Sequence, residues 1–240
     1  MKNVKTSFIA KMLVVLIMAI YAMIAFSSCT TMPTTDHPST VSVSPTPGPT
    51  PVPASTALPI SEANPKFGYL PLSWEKNHPE RAAWSKSLIA QVVDAWSQLR
   101  EPKDMDRFCA KYSSLFTEQR IKVWAELFVA MAYYESGWNP KSASVDVGTK
   151  DDRDTWSIGL WQMSVIDQES YKLPLGYKYE HLLEPGPNGD LAVRIMARQI
   201  ERRGTIVVSS SPYWAVIKEG GRYQKINQIA AMVSALPFCK

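Results

Sequence analysis

Apolar residues recur every three or four positions through most of the chain beyond about residue 67, and that spacing predicts helices. Pro79 fits a first helical position, and Trp84, Leu88, Val92, Trp96 and Leu99 follow on one face. A second helix is predicted over Asp104 to Leu115. A third opens with Thr117 as N-cap, carries Ile121, Trp124, Leu127, Phe128 and Met131, and ends at Glu135. Between Lys141 and Tyr179 the pattern breaks. Gly, Asp, Ser and Pro dominate there, with a helical period only over Ser164 to Tyr171, so this stretch reads as a long loop or a small hairpin. A helix from Asp190 to Arg203 puts Leu191, Ile195, Met196 and Gln199 on one face and stops at Gly204. A short helix near Pro212 to Lys218 and a last one from Tyr223 to Leu236 complete the set. Strand signals are scarce, so the expected fold is mainly α, one domain over residues 66–240.

Ahead of that domain the pattern is different. Lys2, Lys5 and Lys11 precede a continuous apolar run from Met12 to Phe26. The run is shorter than the ~20 apolar residues that span a bilayer. A charged start, a short apolar stretch and small residues after it spell an export signal over residues 1–28. Phe26-Ser27-Ser28-Cys29 resembles a bacterial lipobox, which implies a lipid on Cys29 and a membrane anchor; a plain signal peptide or an uncleaved anchor helix are the alternatives. Thr30 is not Asp, and by the same resemblance that favours the outer membrane if the source is Gram-negative. Residues 29–65 are rich in Pro, Ser and Thr and form an extended linker. Behind an anchor, such a spacer gives the domain reach from the membrane.

Charge excludes little but says something about partners. The net +4 is mild and the Lys and Arg are scattered, so an acidic polymer or membrane surface suits the chain and nucleic acid does not; a solvated surface with a small cation excess is the plain alternative. His37, His78 and His181 have no metal-ligand spacing, and no metal or cofactor is expected. Of the remaining two cysteines, Cys109 and Cys239 either pair in an oxidising compartment or stay as separate buried thiols. A Cys109–His181 peptidase is disfavoured, because Cys109 falls mid-helix with nothing to activate it.

The candidate chemistry centres on Glu135. It ends an apolar helix amid Tyr133, Tyr134 and Trp138, with Gly137 and Pro140 to stop the helix. The helix C-terminus disfavours a carboxylate there, and apolar neighbours would favour the neutral acid. A carboxyl that keeps its proton near neutral pH is suited to protonating a glycosidic oxygen. A solvent-exposed, helix-terminal Glu is the plain alternative.

Glu135-Ser136-Gly137-Trp138-Asn139-Pro140 resembles the catalytic Glu-Ser segment of lytic transglycosylases, and Ser157-Ile158-Gly159-Leu160-Trp161-Gln162 resembles their Gly-Leu-Met-Gln segment, with Trp161 in place of Met. The likeness extends to goose-type lysozymes. It implies a lysozyme-like fold, peptidoglycan glycan strands as the substrate, Glu135 as the catalytic residue, and Ser136, Ser157, Gly159, Leu160, Trp161 and Gln162 as substrate-binding residues along the groove. Gly159 would let backbone approach substrate, and Gln162 would address an acetamido group. The family's Ala-Tyr-Asn motif is missing. Ser211-Pro212-Tyr213-Trp214-Ala215 stands in its place, with Tyr213 as the candidate tyrosine or else a core aromatic. Trp156 and Trp161 could stack on sugars or pack in the core.

The resemblance to lytic transglycosylases implies one Glu that acts as acid and then base, producing 1,6-anhydromuramic ends. The alternative is hydrolysis, as in goose-type lysozymes, whose aspartates position water. Asp146, Asp151, Asp152 and Asp154 lie in that region, with Asp154 or Asp152 nearest the place, although a solvated loop also explains the cluster. A silent wall-binding lipoprotein on the same fold is the non-enzymatic alternative.

Overall fold

A computed structural model describes residues 70–145 and 152–240. The expected export signal, Cys29, the linker, Asp146 and Asp151 lie outside the described residues. Among the described residues there are seven α-helices, two short strands and several 3₁₀ turns. The helices are α1 (Ala82–Asp94), α2 (Trp96–Leu99), α3 (Thr117–Ser136), α4 (Asp167–Ser170), α5 (Tyr179–Leu182), α6 (Pro185–Arg203) and α7 (Ile226–Ser234). The strands β1 (Ala143–Ser144) and β2 (Ser157–Ile158) pair antiparallel, Ala143 opposite Ile158 and Ser144 opposite Ser157. The domain is mainly α, with a small hairpin after the third helix.

The centre of the fold is α3. Every residue from Val123 to Ala132 is buried, so this half of the helix is covered all round rather than along one stripe. The neighbours that cover it are α1, α7 and the 3₁₀ turns Ser73–Glu75 and Ala215–Ile217. Alanines at 125, 130 and 132 let these neighbours come close, while Trp124, Phe128 and Met131 fill the space between. At its start, Thr117 is the first helical residue rather than the cap; the Phe116 N–H is satisfied by Gln119 Oε1 at 3.0 Å.

The remaining helices follow the apolar spacing with local corrections. Pro79 opens a 3₁₀ turn, Pro79–Arg81, that runs into α1, and Ala95 breaks the predicted long helix into α1 and α2. The predicted helix over Asp104 to Leu115 is instead two 3₁₀ turns, Met105–Arg107 and Tyr112–Ser114. Its opening residue is committed elsewhere: the Asp104 carboxylate accepts the N–H groups of Ile206 and Val207, each at 2.8 Å. Next to these turns, Cys109 is joined to Cys239 by a disulfide with its Cα atoms 4.8 Å apart, which ties the C-terminus to the start of the domain. Helix α6 begins five residues earlier than its apolar pattern suggests, because Pro185 suits the first helical position, where no N–H is needed. It ends at Gly204 with φ +72°. The segment near Pro212 to Lys218 holds only the turn Ala215–Ile217, and the last helix is trimmed to Ile226–Ser234 before Pro237.

Candidate active site

Glu135 sits in the last turn of α3. The helix stops because Gly137 adopts a left-handed conformation (φ +63°), with its N–H returned to Tyr133 O at 2.9 Å. A Cβ at Gly137 would meet nothing within 4 Å, so backbone conformation and not space selects glycine here. Trp138 is also left-handed (φ +61°), and its indole N–H holds Val129 O at 2.8 Å. Two consecutive residues of this conformation turn the chain sharply away and leave the acid at the helix's end.

Helical geometry explains why the acid is desolvated. Phe128 and Met131 lie seven and four residues before Glu135, on the same stripe, and both are fully buried. Tyr133 lies roughly 160° around the helix, at ~100° per residue. It is exposed, and its ring packs at a tilt against Trp138 and edge-on against Tyr134, at centroid distances of 4.9 and 5.0 Å. The aromatic wall expected from sequence therefore forms mostly on the other side of the helix. Glu135 is partly buried. Its Oε1 is shut off from solvent and has no hydrogen-bond donor. Burial alone pushes its carboxyl up from 4.5 to about 7.

The segment from Ser157 to Gln162 packs along this same stripe. Trp161 donates its indole N–H to Phe128 O at 2.8 Å, and the Ser136 hydroxyl lies 2.9 Å from Leu160 O and 3.1 Å from Ala132 O. Ser136 thus ties the acid's helical turn to the segment. Ile158 and Met163 exchange both backbone hydrogen bonds at 2.8 Å, closing a tight loop around Gly159, Leu160, Trp161 and Gln162. Ser157 is partly buried on β2.

Three expected substrate contacts are corrected. Leu160 and Trp161 are buried in the core, so Trp161 offers no face to a sugar; its ring packs edge-on against Trp74 and Phe128. Gly159 (φ +76°) does give close approach, but to protein. A Cβ there would stand 2.3 Å from Leu182 O and 2.5 Å from Asn188 Nδ2. Gln162, left-handed at φ +53°, spends its amide N–H₂ on Gly159 O at 2.9 Å, which fixes the side chain beside the loop.

Tyr213 donates its hydroxyl to Asp167 Oδ2, an oxygen that also accepts Ser164 N–H at 2.8 Å. Burial pushes that phenol well up, and the Asp167 charge adds to the effect. Its neighbour Trp214 is buried and donates its indole N–H to Trp161 O at 3.0 Å, so Tyr213 is brought to the loop through Trp214. Asp154 is exposed; its backbone N–H is capped by Asp152 Oδ1 at 3.1 Å and its carbonyl accepts Ile166 N–H at 3.2 Å. Trp156 is partly buried and meets Tyr179 edge-on at 6.0 Å. Two residues that sequence reasoning missed are Asp167 and Asn188. The only sequence signal for Asn188 is an amide where a helix is about to turn apolar.

The transglycosylase SLT domain model matches residues 114–228. No curated protein matches the chain. Three solved structures of Bd0314 DslA are similar. One glutamate-to-glutamine mutant is 26% identical, with a TM-score of 0.62 over 70% of this chain and 97% of that one. The wild-type form 2 is 25% identical, with a TM-score of 0.60 over 71% and 98%. A second glutamate-to-glutamine mutant is 26% identical, with a TM-score of 0.59 over 70% and 97%. The match begins just before α3 and includes Glu135, the Ser157–Gln162 loop, α6 and Tyr213. Residues 114–228 are therefore a transglycosylase SLT domain, set in a domain of lysozyme-like fold.

Proposed function

We propose that this domain is a peptidoglycan lytic transglycosylase. It cleaves the β-1,4 bond between N-acetylmuramic acid and N-acetylglucosamine with Glu135 as the reacting acid. The observation that carries this reading is Glu135 Oε1: closed to solvent, without a donor, on a carboxyl raised to about 7. A group in that state holds its proton near neutral pH and yields it to a leaving oxygen with little driving-force penalty. The resulting carboxylate then takes the proton of the sugar's own 6-hydroxyl, whose oxygen closes on C1. The bond to the leaving sugar breaks, a 1,6-anhydro ring forms, and Glu135 recovers its proton. One acid serves both steps and no water enters. Gln162 and Tyr213 are the proposed polar contacts to substrate, with the Ser157–Gln162 loop as one side of the groove. Glycosidases working by two carboxyls place them about 5 Å or roughly 6.5–9.5 Å apart.

Hydrolysis is the second reading, and one observation favours it. Two of the similar structures carry glutamate-to-glutamine changes eleven residues apart. In this chain the residue eleven before Glu135 is Trp124, a core aromatic, and the residue eleven after it is the acid Asp146. A second carboxyl there would serve to activate water. The export signal, lipidation at Cys29 and attachment to a membrane facing the periplasm or wall remain part of the proposal, supported by Phe26-Ser27-Ser28-Cys29 and the linker behind it. The test compares the wild type with Glu135→Gln on purified peptidoglycan, with products read by mass spectrometry. The expected loss is about two orders of magnitude or more in rate. Anhydro ends support the transglycosylase, reducing ends support the hydrolase, and equal activity of both proteins refutes the assignment of Glu135.

A further inference from the structure

Asn188 lies in the first turn of α6, is wholly buried, and uses every proton and one acceptor of its amide. Its Oδ1 accepts Trp161 N–H at 2.9 Å, and its Nδ2 donates to Ile158 O and to Leu182 O, each at 2.9 Å. The amide thus grips the loop at two points, one on each side of Gly159, and pins both to the end of α5. Gly159 is part of the same joint: its bare Cα faces Asn188, where a Cβ would be 2.5 Å from Nδ2 and 2.8 Å from Cγ. The residue between Gly159 and Trp161 is Leu160, whose carbonyl takes the Ser136 hydroxyl in the last turn of α3. A continuous run of bonds therefore leads from Asn188, through the loop, to the residue beside Glu135.

We propose that Asn188 is a positioning residue for Glu135: its amide clamps the Ile158–Trp161 loop over the end of α3, and the clamped loop keeps water away from the acid. The inference rests on Glu135 being the proton donor. Among the described residues, few other groups compete for control of the acid. Of the elements packed on α3, α1 carries Lys86 and Asp94, the Ser73–Glu75 turn carries Glu75, and α7 carries no titratable side chain. Tyr213 is bonded to Asp167, and Lys141 beyond the helix is paired with Glu184 at 2.7 Å. Burial is the single cause of the shift at Glu135, so whatever controls its burial controls its proton.

Asn188→Ala and Gly159→Ala attack the joint from its two sides. In each folded variant the Glu135 carboxyl is titrated by carbon NMR, and kcat and KM on purified peptidoglycan are measured against pH. Loosening the loop admits water, so the carboxyl should titrate about one pH unit or more below its wild-type value, and the alkaline limb of the rate profile should move down with it. The loss should fall on kcat, roughly fivefold or more at pH 7, with KM changed less. A Glu135 carboxyl that titrates as in the wild type in both folded variants overturns the proposal, even if activity falls, since a purely structural Asn188 would lower stability alone. If neither variant folds, amide exchange in the wild-type protein decides. Trp161 N–H should exchange only through global unfolding, and exchange at the rate of an open loop overturns the clamp. The NMR titration needs no turnover, so it tells failure of the clamp apart from failure of Glu135 as the acid.

Discussion

Replacing Glu135 by Gln should slow cleavage by about two orders of magnitude or more and at the same time stabilise the protein, by an amount that grows with pH. Below about pH 4 the Glu135 carboxyl is protonated in both folded and unfolded chains, and burial penalises neither. Between its ordinary 4.5 and the folded value of about 7, the unfolded chain releases the proton while the folded chain holds it. The folded state binds more protons there, so its stability falls as pH rises. Above about 7 both states are ionised and the fold carries the full penalty of a desolvated charge. A carboxyl moved that far disfavours its charged form by about 3 kcal/mol, trimmed by the exposure the residue retains. Gln keeps the shape and has no charge to bury. The variant should therefore match the wild type at pH 4 and exceed its melting temperature at pH 8 by roughly 5–10 °C, on the size scaling of thermal unfolding. Glu126 on the same helix is also pushed up by burial, but it is common to both proteins and cancels. Calorimetry of the two proteins from pH 4 to 8 checks this. A melting difference that does not change with pH, or a variant less stable at pH 8, would refute the claim that Glu135 is held uncharged by desolvation.

Two further outcomes follow from the backbone and the crosslink. Cys239→Ser opens the Cys109–Cys239 bridge, which spans 130 residues of sequence, and should lower stability to denaturant by about 4–5 kcal/mol; an unchanged urea midpoint would mean the crosslink does not restrain the unfolded chain. Gly137→Ala and Gly159→Ala should differ although both glycines are left-handed: the first places its methyl in open space and costs ~1 kcal/mol, whereas the second drives it into Leu182 O and Asn188 and costs ~3 kcal/mol or more. Equal urea midpoints for the two variants would overturn the close contact at Gly159.

What the sequence disclosed was what local chemistry determines. The apolar period of α3, its stop at Gly137 and the start of trouble for helices after Pro140 all depend on neighbours within a turn or two. Local chemistry offers the hairpin only as an option and does not decide whether the cysteines pair, because both depend on partners far away in the chain. The misjudged residues share that cause. Trp161 looks like a sugar platform until Trp74 and Phe128 enclose it, and Gly159 looks like an opening to a ligand until Asn188, twenty-nine residues on, fills it. Asp104 could not be seen to leave its own helix for the backbone of residues 206–207. The site's chemistry was legible in a short motif; the support beneath it was tertiary.

Helix α3 carries one buried and one partly buried glutamate, and their contrast shows why only one is suited to proton transfer. Glu126 is almost wholly enclosed, accepts Ser73 N–H at 3.1 Å and has the Lys122 charge nearby. It fastens the chain's entry segment to the central helix. Nine residues later, half a turn out of phase, Glu135 has burial as the sole influence on its proton and keeps part of its surface open. Enclosure alone raises a carboxyl's affinity for its proton, yet a fully enclosed acid meets no polymer. A general acid must be short of water and within reach of a leaving oxygen together. The helix end supplies both conditions: the stripe of Phe128 and Met131 and the clamped loop withhold water from one side, and the turn at Gly137 and Trp138 takes the chain away from the other.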